Sequence, residues 1–516
     1  MQRFRMPLAQ AAPWIIIVLA THVTPTAAET LLFSVSGPDS SYLGGQVRGL
    51  GDTNGDGYSD VVITSGPGEQ ILVHLYHGGA TPDTVADLTI EVPSNPRIAR
   101  AGDANNDGYN DLLIGLPDEG AGEARLYYLG PTPDSTADLT FTRSGSPGDE
   151  FGHALVGVDI NNDGYSDVIV AMPYSDVFDE VDAGRVTVYY MGPSPDTSPD
   201  ITYVNSGSTG YGSSVVALGD RFSPDGYGDF LLAPDFPWKA QEFHGGPTGP
   251  TWVNTETYLW QPRFAPAGDV DGDGDDELAV FKPSLTASEV HVGEDLGVVF
   301  PEHVLIQGSS TSSSWGVMAP NPVGDLDLDG YADFVIGDPG IFSENGRVFV
   351  YFLGPGAGFE PTAAETLSAP PDDWLGNTLD GAGDFNGDGA PDLIVGASRA
   401  NQARGLAEIY SFWTPPVSSP EPGVATPKEL TLGVPRPNPA SDGATIRLSV
   451  GLHHGSEVAL SLFDVGGRRV ARRAPQWLPP GPSTISWSPD PGAGVYFLRA
   501  ETGDGSSAVQ RMVVVK

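Results

Sequence analysis

Nine-residue segments crowded with side-chain oxygen recur seven times in this chain, and their spacing is that of a cation cage. The first reads Asp52-Thr53-Asn54-Gly55-Asp56-Gly57-Tyr58-Ser59-Asp60, with a carboxylate or amide at positions one, three, five and nine and glycine at six. The others begin at Asp103, Asp159, Asp220, Asp269, Asp325 and Asp384. Alternate residues of an irregular loop can aim several oxygens at one point, and glycine at six permits the sharp bend. Calcium takes such a set of hard oxygens, backbone carbonyls included.

The candidate ligands follow by position. They are Asp52, Asn54, Asp56 and Asp60; Asp103, Asn105, Asp107 and Asp111; Asp159, Asn161, Asp163 and Asp167; Asp325, Asp327, Asp329 and Asp333; and Asp384, Asn386, Asp388 and Asp392. The fifth loop keeps the spacing with Asp269, Asp271, Asp273 and Glu277 but closes on the longer acid. The fourth has one residue too many before Gly226 and no acid or amide at its third place. With only Asp220, Asp225 and Asp229 it is expected to be weak or empty, which leaves six full Ca2+ sites. A hairpin turn needs one or two such residues, not four. A catalytic carboxylate pair occurs once per active site, whereas this cluster returns in every unit, so the acids read as scaffold.

The start-to-start spacings are 51, 56, 61, 49, 56 and 59 residues, the signature of a repeat architecture. Before each loop runs a short segment such as Phe151-Gly152-His153-Ala154-Leu155-Val156-Gly157, expected to be an inner strand. Gly44, Gly212, Gly316 and Gly376 stand where Gly152 does. After each loop comes an apolar run, such as Val61-Val62-Ile63 or Leu112-Leu113-Ile114, expected to be a strand buried on both faces. A third strand (Arg185–Tyr190, Arg347–Phe352) and a shorter fourth (Asp138–Phe141) follow. Four strands per unit and seven units predict an all-β fold, a seven-bladed β-propeller. The seventh unit lacks fourth-strand text, and matching text sits at residues 30–37. That N-terminal strand is expected to close the last blade.

Phe151-Gly152, the acidic loop and the following Gly/Ala-x-Pro (Gly115-Leu116-Pro117, Ala171-Met172-Pro173) resemble the FG-GAP repeat of integrin α-subunit heads and bacterial surface proteins, over residues 29–414. The resemblance implies that the position-seven backbone carbonyl completes each cage, at Tyr58, Tyr109, Tyr165, Tyr331 and Ala390. It also implies ligand binding on the face opposite the calcium loops. Tyr174, Phe178, Trp238, Trp260 and Trp374 lie in or near loops expected on that face. They suit carbohydrate or protein contact, and equally inter-blade packing.

The termini carry other signals. Residues 1–28 read as a secretory signal: Arg3 and Arg5, the apolar Trp14–Ala20, then small residues before Glu29. Residues 415–430 are a Pro-rich linker. Residues 431–516 are expected to form a small C-terminal β-sandwich, immunoglobulin-like, with strands near 444–450, 457–463, 483–487, 495–500 and 508–515. Pro437-Asn438-Pro439, Phe463–Arg468, Gly494-Val495-Tyr496-Phe497 and the final Arg511–Lys516 resemble the sorting domain of type IX secretion cargo. That likeness implies recognition by outer-membrane secretion machinery and a secreted or outer-surface place on a Gram-negative bacterium. An ordinary immunoglobulin-like domain would fit the same strands.

The net charge of −42 makes nucleic acid an improbable partner, and 25 of the 67 acids lie in the seven loops. The absence of cysteine excludes disulfides and zinc–thiolate sites. No His-Glu-x-x-His, Gly-x-Ser-x-Gly or phosphate-binding loop appears. The chain therefore reads as a non-enzymatic calcium-binding adhesion protein for an extracellular glycan or protein. A structural surface-layer component and a polysaccharide-degrading lyase or hydrolase are the alternatives.

Overall fold

The computed structural model describes residues 29–413 and 430–515 with internal breaks, the longer ones at 258–262, 271–275, 283–288, 294–305, 308–320, 340–344 and 354–364. The expected signal at 1–28 and nearly all of the expected linker lie outside the described residues. The chain divides into two units, Met1–Thr414 and Pro415–Lys516.

In the first unit the described residues form seven four-stranded antiparallel sheets. In one of them Val47–Gly51, Asp60–Ser65, Gln70–Tyr76 and Leu88–Pro93 pair in sequence order. Strand position follows from residue pattern. The second strands Asp60–Ser65, Asp111–Leu116, Asp167–Met172 and Asp392–Ala397 are buried at every residue, as continuous apolar runs require. The fourth strands, such as Leu139–Thr142, alternate and bury one face only.

The apolar core is divided among the seams between sheets. Phe33, Ile63 and Tyr76 pack with Phe385, Ile394 and Ile409 between the last sheet and the first. Leu113, Leu126 and Phe141 pack with Phe151, Val168 and Tyr189 between the next two sheets along the chain. Every successive pair of sheets shares such a cluster. Each buried Leu, Ile or Phe contributes about 1.5–3 kcal/mol, so the unit is held by its seams. The architecture is that of a β-propeller.

Thr30–Ser36 pairs antiparallel with Leu406–Ser411, from Thr30 opposite Ser411 to Ser36 opposite Leu406. The first strand of the unit is thus the fourth of its last sheet, and it covers an edge that would otherwise be open to another chain. Three of the inner strands meet at Asp380, which is almost fully buried. Its carboxylate accepts from the Gly49 amide (3.1 Å) and Arg100 Nη2 (2.9 Å), with Arg48 Nη1 at 3.6 Å.

One expectation is corrected. Phe151-Gly152 does not begin the inner strand, which runs Leu155–Val158. The pair forms the turn before it. The Phe151 amide donates to Ala121 O in the preceding sheet (2.9 Å) and the Gly152 amide to Ala171 O (2.9 Å). Gly152 has φ +89°, and a Cβ there would come within 2.5 Å of Glu123 O, so only glycine fits. Buried apolar residues in a turn look like strand in sequence.

In the second unit, Leu430–Leu432, Ile446–Leu452 and Gly481–Trp487 form a three-stranded sheet. Ala440–Ser441, Ser507–Val515, Gly494–Thr502, Ser456–Asp464 and Arg469–Leu478 form a five-stranded one, in that order. Leu448, Val450 and Ile485 of the first share one core with Leu460, Leu462, Leu498 and Met512 of the second. The strand Arg469–Leu478 was not expected. Three arginines and Pro475 interrupt its alternation, which is tolerated because it is the sheet's edge. No helix among the described residues is long and apolar enough to cross a membrane.

Candidate cation-binding loops

Each acidic loop joins the first strand of a sheet to the second, and its carboxylates fold the backbone around themselves. The position-six amide donates to the position-one carboxylate: Gly57 to Asp52 (3.0 Å), Gly108 to Asp103 (2.8 Å), Gly164 to Asp159 (2.9 Å), Gly330 to Asp325 (2.8 Å) and Gly389 to Asp384 (3.0 Å). The position-seven amide donates to position five: Tyr58 to Asp56 (2.9 Å), Tyr109 to Asp107 (3.0 Å), Tyr165 to Asp163 (3.0 Å), Tyr331 to Asp329 (3.1 Å) and Ala390 to Asp388 (2.9 Å). The position-five amide donates to the position-three side chain, at Asn54, Asn105, Asn161, Asp327 and Asn386. Position four lies in the left-handed region at Gly55, Asn106, Asn162, Leu328 and Gly387. Glycine and asparagine tolerate that region, so position four carries a sequence signal of its own beside the glycine at six.

Position nine has a role that spacing did not reveal. Asp60, Asp111, Asp167 and Asp392 open the second strands, Asp333 immediately precedes its own, and all five are fully buried. One oxygen accepts the position-two amide of its own loop, from Thr53 (2.8 Å), Ala104 (2.9 Å), Ile160 (3.1 Å), Leu326 (2.7 Å) or Phe385 (3.0 Å). In four of these loops the other oxygen accepts an amide just beyond the third strand, from Gly78, Leu129, Met191 or Leu353, each at 2.9 Å. The carboxylate is therefore a strut between loop and sheet. Burial pushes these acids up, Asp111 and Asp392 to about 7 and Asp167 and Asp333 to about 8, with nearby carboxylates adding to the rise. A divalent cation in the loop would supply the opposing charge.

The residues present fit a hard cation. One oxygen each of Asp325, Asp327 and Asp333 lie within 4.8 Å of one another, close enough for all three to touch a calcium ion at about 2.4 Å. In the seventh loop Asp384 Oδ1 and Asp392 Oδ1 are buried without a hydrogen-bond partner, which is costly for carboxylates unless something else meets them.

The two divergent loops keep parts of the frame. In the fourth, Gly226 donates to Asp220 (2.7 Å), Tyr227 to Asp225 (3.1 Å) and Gly245 to Asp229 (3.0 Å). Its third place, Phe222, supplies no oxygen. In the fifth, the Val270 amide donates to Glu277 Oε2 (2.8 Å). Asp271 and Asp273 lie outside the described residues, as do Trp238 and Trp260. Of the other aromatics, Phe178 is 77% exposed. The Tyr174 hydroxyl donates to Asp235 (3.2 Å), and the Arg399 guanidinium stacks 3.8 Å from the Trp374 ring. His153 pairs with Glu150 at 2.7 Å beside its turn.

Comparison with known proteins agrees with this geometry. A model of the FG-GAP-like repeat matches residues 52–114, and one of the FG-GAP repeat matches 151–189 and 376–409. Human integrin alpha-IIb is 35% identical over 150 residues, covering 26% of this chain and 14% of the integrin. Integrin alpha-4 of Xenopus laevis is 32% identical over 165 residues, covering 28% and 16%. Integrin alpha-PS5 of Drosophila melanogaster is 30% identical over 218 residues, covering 40% and 19%. The chain thus spans less than a fifth of the length of these relatives. It carries FG-GAP repeats built into an integrin-α-like β-propeller.

Proposed function

We propose that this chain is an exported, calcium-stabilised, seven-bladed propeller that binds an extracellular glycan or protein and is not an enzyme. The observation that carries the reading is one carboxylate-and-amide frame, repeated from loop to loop, with Asp325, Asp327 and Asp333 converging in the sixth. The similarity to integrin α-chains supports the adhesion part. When bound, calcium supplies positive charge to carboxylates that burial has raised. The chain's own work is to hold each first-to-second-strand hairpin. Position one gathers the bend, position five fixes the peptide at seven, and position nine ties the loop to the third strand. Surface loops on such a scaffold keep their shape, and a rigid surface loses less entropy on binding.

The test is calorimetric titration of the full chain with calcium, followed by a screen against glycans and surface proteins with calcium and with chelator. Uptake of about six ions and binding to one ligand class that chelator abolishes are expected. A chain that melts identically with and without chelator would sink the reading.

The resemblance of the C-terminal unit to type IX cargo supports its role as an address for delivery to a Gram-negative outer surface. Deleting residues 431–516 is then expected to strand the propeller in the periplasm of such a host. Unchanged surface delivery of the truncated chain would refute this part alone.

A further inference from the structure

We propose that the cation loops are coupled in series, each loop's occupation preparing the next, and that Pro391 interrupts the series between the sixth loop and the seventh. This rests on the calcium reading above. Its basis is a hydrogen bond between loops that no single-loop pattern contains. The position-eight amide of one loop donates to the position-one carbonyl of the loop before it: Asn110 to Asp52 (3.2 Å), Ser166 to Asp103 (2.8 Å), Gly228 to Asp159 (2.7 Å) and Ala332 to Asp269 (2.8 Å). Across the junction of the chain's two ends, Ser59 donates to Asp384 (2.9 Å). Two seams carry a second link one residue on, Gly79 to Phe385 O (2.8 Å) and Gly246 to Ile160 O (2.9 Å).

The two ends of this bond belong to residues that matter to different loops. Position one offers its carboxylate to its own cation and its carbonyl to the next loop. Position eight is covalently joined to position nine, the buried strut of that next loop. A cation that fixes Asp52 therefore also fixes the acceptor for Asn110, and with it the peptide leading into Asp111. Ordering already accomplished by the first ion need not be repeated for the second, which is positive coupling without a change of shape. By linkage the effect is reciprocal.

One seam lacks the bond for a chemical reason. The seventh loop has Pro391 at position eight. Its ring sits over Gly324, where a Cβ would come within 2.8 Å of Pro391 Cγ, but proline has no amide hydrogen to give to Asp325. The sixth loop therefore hands no such bond on to the seventh. The seventh begins a run through the first, second and third loops to the fourth.

The test uses the full chain freed of calcium and titrated by calorimetry, with calcium-dependent melting as a second readout. Asn110→Pro deletes one linking amide, and Pro391 shows that the position accepts proline. Asn110→Ala keeps the amide. Wild-type binding is expected to be steeper than independent sites allow. Asn110→Pro should flatten it and weaken the neighbouring sites about five-fold, the effect of one hydrogen bond, while Asn110→Ala binds as wild type. Pro391→Ser, which adds a donor at the broken seam, should steepen the isotherm. It decides the matter if Asn110→Pro fails to fold. Identical isotherms for Asn110→Pro and Asn110→Ala, or no change in Pro391→Ser, overturn the coupling while leaving calcium binding in place. A wild-type chain that takes up no calcium overturns the calcium reading itself, and the coupling with it.

Discussion

The two units of this chain are both all-β and both without a disulfide, yet they are held together differently. The C-terminal unit places one apolar cluster between two sheets, with Leu448, Leu460, Leu462 and Leu498 fully buried. Among the described residues of the propeller unit no single cluster plays that part. Its apolar residues are shared out along seams, and four of its sheets add a polar device at the first hairpin, where a buried carboxylate grips two stretches of backbone. A single core depends on its volume being filled. A ring of seams depends on each hairpin keeping its shape, and charge can reach there because the loops lie at the surface.

On the calcium reading, chelation should act on one unit and spare the other. At free calcium of 100 times Kd, one site stabilises the folded state by about 2.7 kcal/mol, and several sites add. Chelator is expected to lower the propeller's melting transition by more than about 10 °C and to leave the C-terminal unit's transition where it was. Scanning calorimetry of the full chain separates the two. A common shift of both transitions would show that the units are not energetically distinct. The converse experiment is Leu498→Ala, which empties space in the second unit's core and should cost about 2–5 kcal/mol. Only the C-terminal transition should move, equally with and without calcium.

The sequence showed what repeats in covalent order and hid what depends on neighbours in space. Val61-Val62-Ile63 could be placed as a doubly buried strand because its composition leaves no other home. The loops stood out because oxygens alternate at fixed places. Phe151-Gly152 reads as strand, although the strand begins four residues after Phe151, because a buried aromatic in a turn has a strand's composition. Arg469–Leu478 was missed because an edge strand need not alternate. The strut role of position nine was invisible for a different reason. Its second partner, Leu129 for Asp111, lies 18 residues away across two strands. The same holds for Asp380, whose partners Gly49 and Arg100 lie hundreds of residues away in sequence.

That distinction between ligand and strut gives a finer test within one loop. Asp107 is exposed and lies among the candidate ligands, whereas Asp111 is buried and holds the amides of Ala104 and Leu129. Asp107→Ala should cost far more stability in calcium than in chelator, where the loss is limited to exposed hydrogen bonds such as that from the Tyr109 amide. Asp111→Ala should cost about 2 kcal/mol or more even in chelator, because two buried amides lose their acceptor. Melting curves of both variants in calcium and in chelator form a square. Equal costs in all four corners would mean that positions five and nine do the same work.

The smallest expected effect is a gain. Leu328 sits at position four of the sixth loop with φ +60°, where the other described loops of this pattern have glycine or asparagine. A left-handed conformation costs an ordinary side chain about 1–2 kcal/mol, and Leu328 recovers little of that through burial because it is 43% exposed. Asparagine reaches the same conformation at lower cost, as Asn106 and Asn162 do in their loops. Leu328→Asn is therefore expected to raise stability by about 0.5–1 kcal/mol, and to do so in chelator as well as in calcium, since position four offers no side-chain ligand. A gain confined to calcium-loaded protein would instead mean that the new amide has entered the cage. The division of the loop into ligands, strut and backbone hinge would then have to be redrawn at its fourth residue.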